Sequence, residues 1–320
     1  SRNPTRQALR DLELEGYLVR TPGRGSFVAP VQQRQKLLSI TGWRTLAVAC
    51  PELECQYTRS VIRGFIQRAA EDNYHTMAYF LRFSNEAEFE FLADIRNSGI
   101  DGVAFWLQHP SERTVDLLQR FHRARFPYVL LDRYVRGLNA DFVVSDNIDI
   151  GDRLTRALLS RGHRKIGYVT AELDDTSSQD RFTGYKQALE SSGAPFQDEL
   201  VGVFNGDMEA TRAVVNRIMA NRLRPTAFVC GNDGAATKLL DELNQLGYSV
   251  PDEVDLALVD DNALSEVAEI PMVTASQAGF EMGRKSAELL MARVTDPGLP
   301  VQQVFLKARV QVHTREPSTL

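Results

Sequence analysis

An α/β fold with parallel sheets, laid out as two successive halves, is the class that this 320-residue sequence predicts. Three observations carry it. From Thr45 to Val259 short apolar runs alternate with amphipathic stretches, the βαβ rhythm of a parallel sheet. That rhythm is completed once near Leu131 and begins again near Lys165. The composition, 43% hydrophobic and 25% charged, is that of a globular chain with room for two or three domains.

In chain order, the first half offers strands at Leu46–Cys50, Thr76–Leu81, Gly102–Trp106 and Tyr128–Leu131. Amphipathic helices near 57–72, 86–97 and 112–124 separate them. A helix near 151–161 leads to the second half. Its strands are expected at Lys165–Val169, Leu200–Phe204, Ala227–Cys230 and Val254–Val259, with helices near 179–192, 208–221 and 234–246. Residues 29–44 are polar with little periodicity and read as a linker.

Ahead of that linker stands a different unit. Arg2, Arg6 and Arg10 recur every fourth residue and form one cationic stripe on a helix, with Ala8, Leu9 and Leu12 on an apolar face. Tyr17–Arg20 and Ser26–Val28 read as two strands joined by a turn containing Gly23 and Gly25. Residues 1–36 hold seven Arg or Lys against three Asp or Glu, although the whole chain has a net charge of −5. Positive charge confined to one end suits attraction to nucleic-acid phosphate. A solvated helix face is the plainer reading of the stripe alone; the hairpin beside it favours DNA.

These residues resemble the C-terminal half of the GntR winged helix-turn-helix, through Ser1-Arg2, Thr5-Arg6-Gln7-Ala8-Leu9 and the wing Gly23-Arg24-Gly25. Pro4 departs from the usual spacing. The resemblance implies that Arg2, Thr5 and Arg6 face DNA and that Arg24 and Gly25 enter a minor groove. It also implies further helices ahead of Ser1, so that the reader is partial here.

From roughly Thr45 to Thr314 the body resembles the effector domain of LacI/GalR repressors, a bilobed fold shared with periplasmic sugar-binding proteins. The likeness rests on the order of Val144-Ser145-Asp146-Asn147, Arg161-Gly162-His163-Arg164, Asp180-Arg181-Phe182-Thr183-Gly184-Tyr185, Gly231-Asn232-Asp233, Val250-Pro251-Asp252, Asp260-Asp261 and Val273-Thr274-Ala275-Ser276-Gln277. Leu258-Val259 departs from the family's usual Gly and aromatic. A GntR-type reader on such a sensor is the arrangement of arabinose-repressor-like regulators. The expected organisation is therefore a partial winged helix at 1–30, a linker at 31–44, and an effector-binding and dimerisation domain at 45–320. Its first lobe is expected near 45–162 and 277–300, its second near 163–276 and 301–320.

Polar residues just past strand ends are the candidates for holding a ligand. A neutral polyol needs forked donors, amide or carboxylate acceptors and an apolar plate. Arg181 leads by its motif position, followed by Asp260 and Asn232. Asp146 stands where the halves cross and reads as ligand contact or hinge. Trp106 and Arg82 follow early strands, and Gln277 reaches in from a late crossover. Trp106 reads equally as core, Arg82 equally as the partner of a nearby acid, and Arg133 beside Asp132 is ambiguous. Asp233 and Asp261 read as caps or turn formers.

Enzyme signatures are missing from the pattern. The five histidines are scattered, and no Gly-x-Ser-x-Gly elbow or phosphate loop occurs. Cys50, Cys55 and Cys230 lack paired metal spacing and suit a reducing cytoplasm. No cofactor or metal is expected, and no run of about eighteen apolar residues suggests a membrane span. The function expected is a dimeric, cytoplasmic transcriptional regulator, a repressor of sugar-use genes that answers to a sugar-like effector and binds operator DNA. The alternatives are a sugar-binding transport or sensor module without DNA binding, and an enzyme on a bilobed fold.

Overall fold

The computed structural model describes residues 8–9, 12–13, 18–21, 25–28, 44–51, 55–81, 84–108, 110–204, 206–259 and 271–313. Ala8, Leu9, Leu12 and Glu13 are helical, and Leu9 and Leu12 are exposed, so the apolar face expected there has no cover among the described residues. Strands β1 (Leu18–Thr21) and β2 (Gly25–Val28) pair antiparallel, from Leu18 with Val28 to Thr21 with Gly25. The expected hairpin therefore forms, and Gly25 has φ +110°, a conformation that favours glycine.

The first large sheet is wholly parallel. Its strands are β3 (Arg44–Cys50), β4 (Tyr74–Phe80), β5 (Gly102–Phe105), β6 (Tyr128–Leu131), β7 (Phe142–Ser145) and, from the far end of the chain, β13 (Gln303–Leu306). Their order is β13-β7-β6-β5-β3-β4. Helices α1 (Gln56–Glu71), α2 (Asn85–Ile95), α3 (Glu112–Arg123) and α8 (Gly279–Thr295) accompany it. The second sheet holds β8 (Ile166–Thr170), β9 (Val201–Val203), β10 (Ala227–Cys230), β11 (Asp255–Val259), β12 (Val273–Ser276) and β14 (Arg309–Val312), in the order β14-β12-β11-β10-β8-β9. Only β14 runs antiparallel there, against β12. Its helices are α4 (Asn147–Ser160), α5 (Thr176–Ser191), α6 (Met208–Met219) and α7 (Asp233–Gln245).

Strands β5, β6, β7, β8, β10 and β11 are buried along their whole length because helices cover both faces, which is why their sequences are continuous apolar runs. Each sheet accordingly separates two cores. Val48, Phe65 and Leu290 lie on one side of the first and Phe105, Leu118 and Phe142 on the other. Phe228 and Leu239 are divided in the same way from Tyr168 and Tyr185 in the second. Ser84, Ser111, Asp175, Asp207 and Asn232 each cap a helix by accepting a backbone N–H three residues on.

Two of the expected lobe boundaries need correction. Helix α4 packs along α5, on the second sheet, so the first lobe ends near Ser145 rather than at 162. Residues 303–306 do not belong to the second lobe, because β13 pairs with β7. The chain crosses between sheets after β7, after β12 and between β13 and β14, and short apolar strands next to crossings give no sign of which sheet they will join. No helix among the described residues is long and apolar enough to cross a membrane.

Candidate functional site

Parallel strands bring their carboxyl ends to one pole of each sheet, and in open α/β sheets that pole holds the ligand. Arg181, on α5, lies at this pole of the second sheet. Its helix is drawn against α4 by two glycines: a Cβ on Gly184 would stand 2.0 Å from the Ile148 carbonyl oxygen, and one on Gly151 2.0 Å from that of Arg181 itself. Arg181 is only 7% exposed. Its Nε donates to Asn147 Oδ1 at 2.7 Å, one terminal nitrogen to the Gly231 carbonyl at 2.8 Å, and the other to Gln277 Oε1 at 3.2 Å. Ser145 Oγ donates to the same Gln277 oxygen at 2.7 Å. The guanidinium is thus fastened to residues of two crossings, at Ser145–Asn147 and at Gln277. Gly231 has to be glycine, since a Cβ would meet the Tyr168 hydroxyl at 2.7 Å and Thr170 Oγ1 at 2.8 Å.

From the first sheet comes Asp132, the residue immediately after β6. It holds φ +60°, a left-handed conformation that costs a non-glycine residue roughly 1 to 2 kcal/mol. Tyr57, on α1, donates its hydroxyl to Asp132 Oδ1 at 2.7 Å, and Ser177, on α5, donates to the Asp132 backbone oxygen at 2.7 Å. Burial pushes the Asp132 carboxyl above its ordinary value, against the opposing pull of Arg133, Arg181 and the Tyr57 hydrogen bond. The charge of Arg181 in the second lobe thus acts on the Asp132 carboxyl of the first, and Ser177, on the same helix as Arg181, holds the Asp132 backbone.

Trp106 follows β5 and is 8% exposed. Its ring meets Tyr57 edge-on, with centroids 5.5 Å apart and planes at 80°. It belongs to the first core, yet its indole N–H finds no partner among the described residues. A buried donor left without a partner is uncommon.

The segment 132–136 also bridges the lobes directly. Arg133 donates to Glu172 at 2.7 Å and pairs with Asp175 at 3.3 Å. The Tyr134 backbone N–H donates to Thr176 Oγ1 at 3.1 Å, and Tyr134 and Arg136 both reach the Asp180 carboxylate. Desolvation works to raise the Asp175 carboxyl, but Arg133, the Ser178 hydrogen bonds and Arg181 together hold it below the usual range. Arg133, ambiguous in the sequence, is therefore an interlobe ion-pair residue.

Of the residues singled out in the sequence, Arg181 and Gln277 meet directly, and Asn232 stands beside them, next to the Gly231 carbonyl. Asn232 Oδ1 accepts Ala235 N–H as the cap of α7, and its amide nitrogen is 3.5 Å from Thr170 Oγ1. Asp146 does not join this group: its carboxylate caps α4 through Asp149 N–H and takes Lys307 at 2.9 Å. That leaves it tying two crossings together. Arg82 and Asp260 lie outside the described residues, as do Arg2, Thr5, Arg6 and Arg24. Asp132, Tyr57, Asn147 and Ser177 escaped the sequence reading. The signal for Asp132 was its position directly after the buried run Tyr128–Leu131.

The description of a periplasmic binding protein-like domain matches residues 155–316, half of the chain. The chain belongs to this family. Among relatives of this binding-protein-like chain is the arabinose metabolism transcriptional repressor of Halalkalibacterium halodurans, 25% identical over 300 residues, covering 91% of this chain and 79% of the relative. The repressor of the same name from Geobacillus stearothermophilus is 26% identical over 301 residues, covering 92% and 81%. The solved structure of a transcriptional regulator CelR–cellobiose complex superposes with a TM-score of 0.75 at 23% identity, over 90% of this chain and 92% of that one.

Proposed function

We propose that the chain is a ligand-responsive transcriptional repressor of sugar-use genes, whose effector is a small polyol held between the lobes. The observation that carries this reading is the convergence of Arg181, Gln277 and Asn147 with Asp132 from the opposite lobe. A sugar presents vicinal hydroxyls, each donor and acceptor at once. The two hydrogens on one edge of a guanidinium suit their oxygens, a buried carboxylate suits their protons, and Trp106 and Tyr57 supply apolar surface to C–H faces. The repressor names of the curated relatives, which align with nine-tenths of this chain, support the regulatory half of the reading.

We assign residues 1–30 to operator DNA, with the β1–β2 hairpin as a wing, and residues 31–44 to the linker. The working form is a cytoplasmic homodimer, so that two readers meet two half-sites. An effector binding the lobes' closed arrangement changes the spacing between readers. A hundredfold preference for one arrangement contributes about 2.7 kcal/mol per site toward releasing or securing DNA.

The test is titration calorimetry of the chain against pentoses, hexoses and cellobiose, with an operator-retention assay in parallel. A sugar that binds wild type and loses at least a hundredfold in Arg181→Lys supports the reading. Sugar binding that survives undiminished in both Arg181→Lys and Gln277→Ala refutes it.

A further inference from the structure

The proposed sugar site lies at the carboxyl ends of the first sheet; a separate cavity of about 310 Å³ opens at the opposite pole. Its walls come from the end of α3, the segment leading into β7 and the loop after α8, and include His122, Arg125, Tyr128, Asn139, Asp141 and Arg293. Tyr128 opens β6 and Asp132 follows its last residue, so about 13 Å of strand separates this cavity from the proposed sugar site. Its size falls at the small end of metabolite pockets.

Two features make it a built site. Tyr128 is 95% buried, and its hydroxyl has no hydrogen-bond partner among the described residues although it lines the cavity. A buried phenol without a partner is uncommon, and a ligand atom is one way to satisfy it. Arg125 stands exposed at the rim with no ion pair among the described residues, at φ +54° in the turn that closes α3, and the exposed His122 imidazole lines the same rim. The other arginine of the lining, Arg293, is already matched: its Nε and one terminal nitrogen bind the two Asp141 oxygens at 2.8 and 2.9 Å, and its remaining donors reach the carbonyls of Pro297, Leu299 and Pro300. That pair neutralises itself and leaves the Arg125 guanidinium as the unmatched charge of the lining, with the His122 imidazole and the buried Tyr128 hydroxyl as further donors.

We infer that this cavity is a second ligand site, for a small phosphate monoester whose phosphoryl oxygens meet Arg125, His122 and the Tyr128 hydroxyl. A guanidinium fork, an imidazole and a phenol all donate, the complement of an acceptor-only dianion. The ester's organic part faces Asn139 and Phe126. Because β3 starts at Arg44 at this same pole, directly after the linker, the site lies on the side from which the N-terminal segment enters.

Calorimetry at low salt with a hexose monophosphate, the same hexose without phosphate, and inorganic phosphate tests this. The expected result is saturable one-site binding of the monophosphate, weakened at least tenfold in Arg125→Ala and in Tyr128→Phe, and unchanged in Arg181→Lys. Tyr128→Phe removes only the unpartnered oxygen, and Arg125 is on the surface, so both variants keep the wild-type melting curve. Absence of monophosphate binding at millimolar concentration overturns the inference, as does binding that ignores both substitutions. Inorganic phosphate binding as tightly as the ester, an adventitious ion only, overturns it too. Loss of binding in Arg181→Lys alone assigns the phosphate to the cleft and rejects the second site while leaving the cleft reading intact.

Discussion

In the first lobe, Gly64 of α1 and Gly283 of α8 let two helices touch backbone to backbone; in the second, Gly184 of α5 and Gly151 of α4 do the same. A Cβ on Gly64 would meet the Phe280 carbonyl oxygen at 2.0 Å, and one on Gly283 the Val61 carbonyl oxygen at 1.9 Å, matching the 2.0 Å approaches in the second lobe. The spacing is regular: Gly184 follows Gly64 by 120 residues, and Gly283 follows Gly151 by 132. Carrying those offsets along pairs Tyr57 with Ser177, Val61 with Arg181, and Ser145 with Gln277. Tyr57 and Ser177 both clasp Asp132, one by its carboxylate and the other by its backbone. Ser145 and Gln277 bond to each other. The lobes thus share one packing scheme, and the difference that matters chemically is a buried valine in one where the other has a buried arginine. Arg181 comes from one lobe and Asp132 from the other.

The shared scheme breaks most readily at the glycines. Gly184→Val and Gly283→Val each force a side chain into a backbone carbonyl, and each should cost about 3 kcal/mol or more of stability. Urea unfolding followed by far-ultraviolet circular dichroism checks this; near-wild-type midpoints for either would mean that the helices can part cheaply in that lobe. The valine–arginine difference is sharpened by Arg181→Lys, which keeps the charge and loses the fork. Sugar affinity should fall about a hundredfold, close to 2.7 kcal/mol, and the urea midpoint should fall as well, because lysine cannot replace all three bonds to Asn147, Gly231 and Gln277.

How much of this was legible in the sequence follows the same division. Runs flanked by helices in sequence were read to within two residues at most ends, because a fully covered strand has to be apolar throughout and its helix amphipathic. The four-residue β7 and β13 were not read as strands, since Phe142–Ser145 and Gln303–Leu306 gain their meaning only by pairing with each other across the chain. Arg181 and Gln277 were legible through motif order. Asp132 was not, because its importance arises from Tyr57, Ser177 and Arg181, which are distant in sequence and meet only through the packing of α1 and α5.

Asp132 also separates the lobes by pH. Its folded-state carboxyl is raised by burial, so the native state favours the proton more than the unfolded chain does. Stability from this group is complete below the ordinary aspartate value and is lost as pH rises through the higher folded value. Asp132→Asn should flatten that decline in thermal melts taken across the acid range. A sugar hydroxyl that donates to the carboxylate favours the charged form, so wild-type affinity should rise through the same window, with proton release visible as buffer-dependent heat. In Asp132→Asn that pH dependence should vanish, together with about tenfold of the affinity at neutral pH.

The smallest effects distinguish the two clasps. Tyr57→Phe and Ser177→Ala each remove one hydrogen bond to Asp132 and should each cost about 1 kcal/mol in urea unfolding. Their pH signatures should differ. The Tyr57 hydroxyl stabilises the charged carboxylate, so its loss moves the Asp132 titration to higher pH. Ser177 holds the backbone oxygen, so its loss leaves the titration in place and weakens only the hold of the second lobe on the first. Equal shifts in the two variants, measured by carbon-13 NMR of the Asp132 carboxyl, would mean that both act by loosening one shared environment rather than through separate atoms of Asp132.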